Sequence, residues 1–276
     1  MDTKTIIWII VFAFLYYLVA SLIIWGGYEL YSYQKDKSKE CPDSGNASAW
    51  KQFRIERDMF NFLGRDYTIY DVKNSGTVLA RVTSTFPSRF EIAPAPSAPN
   101  LVKMTFNRQF LAEFANVLQP CYKVVIKDAD TAPSSAKCDA LPSRIDGEWS
   151  LNKEYTLVLN GVKYTATQDY NSTLFTVKIT KEGNLIAQAN LSPGDTMNRN
   201  WYLCVSADAT VEEQELFIAT IVTYDSQYTD QSKDKNNKNS GGSNWGTDSG
   251  ISLMVLGVFL MLIPPIGILY TKFMES

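Results

Sequence analysis

Residues 210–224 read TVEEQELFIATIVTY, and the reading of this stretch decides the fold. Thr210 followed three residues later by Glu213 is a capping-box pattern. Glu212, Glu213 and Glu215 suit the positive end of a helix dipole. From Leu216 onward, Phe217, Ile218, Ala219, Ile221, Val222 and Tyr224 leave almost no polar face. A helix that is apolar all round is buried, either in a protein core or in a bilayer. About 15 residues is short for a span of ~20, so this helix is expected to be the spine of a core. Leu216, Phe217, Ile218, Ile221 and Val222 are its core-forming residues.

Working back from the helix, residues 201–206 (WYLCVS) alternate as a strand, and four more strands are expected at 155–159, 162–168, 174–180 and 185–191. Asn160-Gly161 is a strong hairpin signal, because a type I′ turn needs positive φ at both central residues. Nearer the front, 67–72 (YTIYDV) alternates, 73–76 (KNSG) turns and 77–82 (TVLARV) returns. Residues 121–127 read as another strand. Residues 104–118 place Phe106, Phe110, Leu111, Phe114, Val117 and Leu118 at helical spacing before Pro120, which predicts an amphipathic helix. Residues 41–49, 93–100 (APAPSAPN) and 128–143 read as loops or breaks.

Three features together carry a family resemblance: the Tyr67-Thr-Ile-Tyr-Asp71-Val hairpin, the Leu185-Ile-Ala-Gln188 strand, and the strand at 201–206 leading into a helix that ends near Asp225. They resemble the tubby C-terminal-like fold, and within it the plant LURP-one-related and phospholipid scramblase families. The resemblance covers residues 53–228. It implies a mainly β domain with α, a closed antiparallel β-barrel around a buried C-terminal helix, and so explains an all-apolar helix at the end of a β domain. The chain departs from the family in the helix expected at 104–118 and in its Pro-rich inserts. It matches neither the basic pocket that tubby proteins use for phosphoinositides nor the acidic calcium segment of scramblases. Lipid-headgroup binding is thus what the resemblance implies, without residues here to carry it.

Two stretches lie outside that domain. Residues 6–25 (IIWIIVFAFLYYLVASLIIW) are uncharged and apolar, and 251–270 repeat the feature. Each is long enough for ~30 Å of hydrocarbon. The first exceeds the usual ~7–15 apolar residues of a signal peptide and lacks a clean cleavage site, so it is read as a retained anchor. Neither run holds an ionisable residue, the usual mark of an ion pathway. Pro264-Pro265 should kink or end the second helix. The expected layout is a short tail at 1–5, a transmembrane helix at 6–25 and a juxtamembrane linker at 26–52. The barrel follows at 53–228, then a flexible linker at 229–250, a second transmembrane helix at 251–271 and a tail at 272–276.

The chain of 276 residues carries a net charge of −3 and no histidine. The charge gives no basic character for nucleic acid. The missing histidine removes Ser-His-Asp and Cys-His catalysis and histidine-ligated zinc. Gly241-Gly242 has no strand or helix beside it to make a phosphate loop. Asp128 and Asp130 fall far short of a calcium ligand set, and Asp146 with Glu148 read as a charged turn. No catalytic residue, cofactor or metal is expected. Cys41, Cys121, Cys138 and Cys204 are candidate disulfide partners whose pairing spacing alone leaves open. Asn46, Asn171 and Asn190 begin sequons, at a frequency chance would produce in a chain so rich in Asn, Ser and Thr.

The lysines and the cysteines disagree about the side of the membrane. Lys35, Lys37 and Lys39 after the first span, with Lys233, Lys235 and Lys238 before the second, favour a cytoplasmic domain. Cysteines in polar loops and sequons in turns favour a luminal or extracellular one, and that is the reading adopted. The function expected is that of a non-enzymatic, two-pass accessory or structural subunit of a membrane assembly, with the lipid bilayer and other membrane proteins as partners. The alternatives are a lipid-directed module, scramblase-like or phosphoinositide-binding, and a two-span channel subunit.

Overall fold

The computed structural model of the chain describes residues 3–42, 49–58, 66–74, 76–85, 89–98, 101, 103–108, 121–126, 138–147, 154–169, 175–193, 200–235 and 253–261. The chain divides into two units, Met1–Lys37 with Ser243–Ser276, and Ser38–Gly242.

In the second unit, alternating apolar residues and tight turns build one continuous meander. Its strands are β1 (Trp50–Arg57), β2 (Tyr67–Asp71), β3 (Thr77–Thr85), β4 (Arg89–Pro94), β5 (Met104–Arg108) and β6 (Cys121–Ile126). They continue as β7 (Arg144–Gly147), β8 (Tyr155–Leu159), β9 (Val162–Asp169), β10 (Thr176–Lys181), β11 (Asn184–Leu191) and β12 (Asn200–Ser206). Each pairs antiparallel with its neighbours in sequence, and β12 returns to β1, so the twelve strands close into a barrel. Closure sets Ile55 opposite Trp201 and leaves no free sheet edge.

The turns follow the chemistry expected of them. Asn160 and Gly161 take φ of 49° and 84°, and Glu182 and Gly183 take 52° and 82°. Those positive angles are the type I′ pattern whose twist matches the flanking strands. Period-2 alternation then sends Phe53 and Ile55, Tyr67 and Ile69, and Ala187 and Ala189 into the core.

The helix of residues 210–224 is longer than expected: α2 runs from Val211 to Lys235, 25 residues. Nothing between Asp225 and Lys235 breaks a helix, there being no Pro or Gly, so part of the expected linker is helical. Residues 214–226 are buried without interruption. Leu216, Phe217, Ile218, Ile221 and Val222 belong to the same hydrophobic core as the inward strand residues. Burying each such side chain contributes about 1.5–3 kcal/mol. The threonines in this run bond back onto their own helix, Thr220 Oγ1 to Leu216 O at 2.8 Å and Thr223 Oγ1 to Thr220 O at 2.7 Å. An all-buried helix can therefore carry threonines.

Three stretches correct the expectations. Residues 104–108 form a strand and not the start of an amphipathic helix, because Met104 and Phe106 point into the core on a period of two and pair with β4 and β6. Phe110, Leu111, Phe114, Val117 and Leu118 lie outside the described residues. Residues 93 and 94, expected to break structure, end β4, and Asp146, read with Glu148 as a charged turn, lies in β7, while Glu148 is outside the described residues.

In the first unit, α1 spans Thr3–Ser38, 36 residues. It takes in much of the expected juxtamembrane linker because Glu29, Leu30, Gln34 and Lys35 are helix formers that outweigh Gly26-Gly27. Pro42 follows shortly and disfavours helix at the residue before it. The stretch Ile10–Ser38 is long and apolar enough to cross a membrane, and Trp8, Phe12, Phe14, Leu22 and Trp25 are exposed along α1. Residues 253–261 form α3, the described part of the expected second span.

Candidate functional site

Among the described residues of the barrel unit, polar groups concentrate in three places, two at the ends of the buried part of α2 and one on the outer face beside β12. At the helix start, Glu213 accepts the Thr210 N–H at 2.8 Å while the Glu213 N–H reaches Thr210 Oγ1 at 3.2 Å, a complete capping box. Glu213 also accepts the Tyr164 hydroxyl at 2.6 Å and faces Lys181 Nζ at 3.5 Å. Burial raises the Glu213 pKa, but the hydrogen bonds from Tyr164 and Thr210, with the Lys181 charge, outweigh it and leave the carboxyl below its usual value. Burial, reinforced by the hydrogen bond to Glu213 and its charge, pushes the Tyr164 hydroxyl far above the ordinary tyrosine range.

At the far end, Asp225 is fully buried. Its carboxylate accepts the Tyr67 hydroxyl at 3.0 Å and the Trp201 indole N–H at 3.1 Å, and Arg57 approaches to 3.7 Å. Strands β1, β2 and β12 thus converge on one helix carboxylate. Only the ending of the apolar helix near an acid marked this position in the sequence; Arg57, Tyr67 and Trp201 carried no local signal.

The third cluster surrounds the segment just after α1. Cys41 is disulfide-bonded to Cys204 of β12, across 163 residues. Gln52 of β1 donates its side-chain amide to Lys39 O. Asn190 of β11 donates Nδ2 to Ser38 O and to Glu40 O, each at 3.3 Å. Its Oδ1 accepts from Thr176 Oγ1 at 3.0 Å and from Gln188 Nε2 at 3.3 Å. Two donors and two lone pairs are the whole capacity of an asparagine amide, and all four are used. Inward-facing Ala189, Leu203 and Phe53 alternate with Asn190, Cys204 and Gln52, so these three share the outer face of adjacent strands. Segment 38–41 is pinned across them.

The remaining pair, Cys121 of β6 with Cys138, spans 17 residues and closes the stretch before β7. Each disulfide joins a strand cysteine to one outside the strands, which spacing had left open. Asn190, singled out as a sequon, is 3% exposed and serves as a clamp; Asn46 and Asn171 lie outside the described residues. Leu216, Phe217, Ile218, Ile221 and Val222 sit in the core between the two polar ends.

Chemically, these clusters hold structure together. Tyr164 and Glu213 are a donor and acceptor already satisfied by each other, and Asp225 is fully buried among its partners. Among the described residues, no group of three or more Cys, Asp or Glu side chains is placed to hold a metal ion. Set against protein-family models and curated protein sequences, the chain matches none.

Proposed function

We propose that this chain is a two-pass membrane protein presenting a rigid, tubby-like β-barrel on the luminal or extracellular side, as a non-enzymatic subunit of a membrane assembly. In this reading α2 is the axle of the barrel, as in the tubby-like fold. The observation that carries it is the Cys41–Cys204 disulfide, which fixes the third residue after α1 to the strand that closes the barrel. A disulfide of this kind persists in an oxidising compartment and is rare in the cytosol.

The lysines that favour the cytoplasm have another use. Lys35 and Lys37 lie in the last turn of α1, where cations stabilise the negative end of the helix dipole. At 1.5 Å per residue, the 36-residue α1 is about 54 Å long against ~30 Å of hydrocarbon. Its lysine-bearing end therefore projects into water whichever side it occupies.

The reading is tested by labelling thiols with a membrane-impermeant maleimide in intact cells after mild reduction, with glycosidase treatment in parallel. Labelling of Cys41 at the surface, or only after opening of the secretory lumen, supports it. Free thiols labelled without any reductant, and only from the cytosol, overturn it. Native gel analysis of mild-detergent extracts then asks whether the protein migrates with partners; a lone monomer removes the subunit role.

A further inference from the structure

Leu260 stands four residues before Pro264. In an α-helix the carbonyl of residue 260 accepts the N–H of residue 264, and a proline has none. The Leu260 carbonyl thereby loses its α-helical donor. Tyr16 of α1 supplies a replacement, its hydroxyl donating to Leu260 O at 2.5 Å.

The neighbouring contact is as specific. A Cβ built on Gly257 would lie 2.5 Å from Ile24 Cγ1 and 3.1 Å from the Ala20 carbonyl oxygen, so only glycine admits this approach of the two backbones. Ala20 is 1% exposed, while Val19 and Leu22 beside it are 52% and 55% exposed. From Tyr16 to Ile24 the number rises while the partner falls from Leu260 to Gly257, so the helices run antiparallel. Ser21, another hydroxyl on α1, is bonded to its own helix through Tyr17 O at 2.8 Å.

We propose that α1 and α3 form a specific intramembrane hairpin, in which Tyr16 satisfies the carbonyl that Pro264 deprives of a donor and Gly257 seats against Ala20 and Ile24. This rests on the two-pass reading above. Within hydrocarbon no water can serve an orphaned carbonyl, and a hydroxyl from a neighbouring helix is one way a proline is accommodated there. Small residues let helix backbones approach where lipid offers no hydrophobic drive. The second span is on this account a partner held by the first, and the remaining apolar face of α1 is what lipid or another protein meets.

The test uses the full chain in membranes, with a protease site inserted between residues 240 and 241. The pair Ile24→Cys with Met254→Cys, each one turn along its helix from the Ala20–Gly257 contact, leaves Gly257 in place; it is oxidised, the site is cut, and a non-reducing gel shows whether the fragments stay joined. Joining is expected for that pair and not for Leu22→Cys with Met254→Cys. Without cross-linking, Tyr16→Phe should lower retention of the cleaved C-terminal fragment in mild detergent by roughly three-fold or more, the scale of one interhelical hydrogen bond in a bilayer. In a Pro264→Ala background, where residue 264 regains its N–H, Tyr16→Phe should have no such effect. Equal joining of both cysteine pairs, or none, overturns the hairpin. An equal loss from Tyr16→Phe in both backgrounds overturns the role of Tyr16. Glycosylation tags on the two chain ends separate the failures: ends on opposite sides refute the two-pass reading, whereas ends on one side with no cross-link refute only the pairing.

Discussion

The indole N–H of Trp201 donates to the carboxylate of Asp225 at 3.1 Å, joining the strand that closes the barrel to the helix that follows it. Tyr67 brings β2 to the same carboxylate and Arg57 brings β1. Removing the acceptor while leaving the Tyr67 and Trp201 donors buried, with the partly exposed Arg57 charge beside them, is far worse than never having buried the group. Asp225→Ala should cost about 3–5 kcal/mol, read as a fall in the denaturation midpoint of the detergent-solubilised protein. Asp225→Asn keeps an acceptor of the same shape and should lose less. Equal losses from the two variants would mean that the carboxylate's charge and both its oxygens are needed.

The two disulfides should differ in worth. Cross-linking a longer loop removes more entropy from the unfolded chain, as the logarithm of loop length. With separations of 163 and 17 residues, Cys41→Ser with Cys204→Ser should cost about 2 kcal/mol more than Cys121→Ser with Cys138→Ser. Chemical denaturation of the two double variants side by side gives the comparison. A larger loss from the short loop would show that native-state packing outweighs loop entropy here.

Glu213 and Tyr164 set opposite limbs of the stability profile. The Glu213 carboxyl titrates lower when folded than its ordinary 4.5. Its contribution is fully present above that value and is lost as pH falls through the folded pKa, where the unfolded chain binds the extra proton. Tyr164 is raised above its ordinary 10.0, so its contribution is present below pH 10 and lost as pH rises beyond it. Thermal melts across pH should show a shallower acid limb for Glu213→Gln and a shallower alkaline limb for Tyr164→Phe. Unchanged limbs in both variants would remove the pair from the pH response.

Asn190 should carry no glycan, because both hydrogens of its amide nitrogen are engaged and the side chain is buried. Asn190→Gln should leave the electrophoretic mobility of the cellular protein unchanged before and after glycosidase. Asn190→Ala orphans the Ser38 and Glu40 carbonyls and should cost about 1–3 kcal/mol. A glycosidase-sensitive shift that disappears in Asn190→Gln would contradict the clamp.

What was legible in the sequence was local. Asn160-Gly161, the alternation in YTIYDV and TVLARV, and the Thr210–Glu213 box each encode their geometry within a few residues, and each appears where expected. Phe106 misled because a short apolar run fits periods of 2 and 3.6 alike until its partners on β4 and β6 are known. β7 has only four residues, too few for any period to show. The long-range matches were invisible for a related reason. Nothing near Asn190 announces Ser38, nothing near Cys204 announces Cys41, and Tyr16 reads as one more residue of an apolar run until Pro264 is seen to leave a carbonyl wanting. Pairing across the chain is written in shape, and shape exists only once the barrel has formed.

Closure of β1 on β12 also sets a clock. During synthesis β1 emerges early and can satisfy only one of its edges, with β2, while its other neighbour is still unmade. Cys41 waits with it as a thiol until residue 204 arrives, 163 residues later. At 5–20 residues per second that interval is roughly ten to thirty seconds. Through that time the cell holds an open sheet with an exposed edge and an unpaired cysteine. The Cys41–Cys204 bond is therefore a mark of completion, formed only on chains whose last strand has come home.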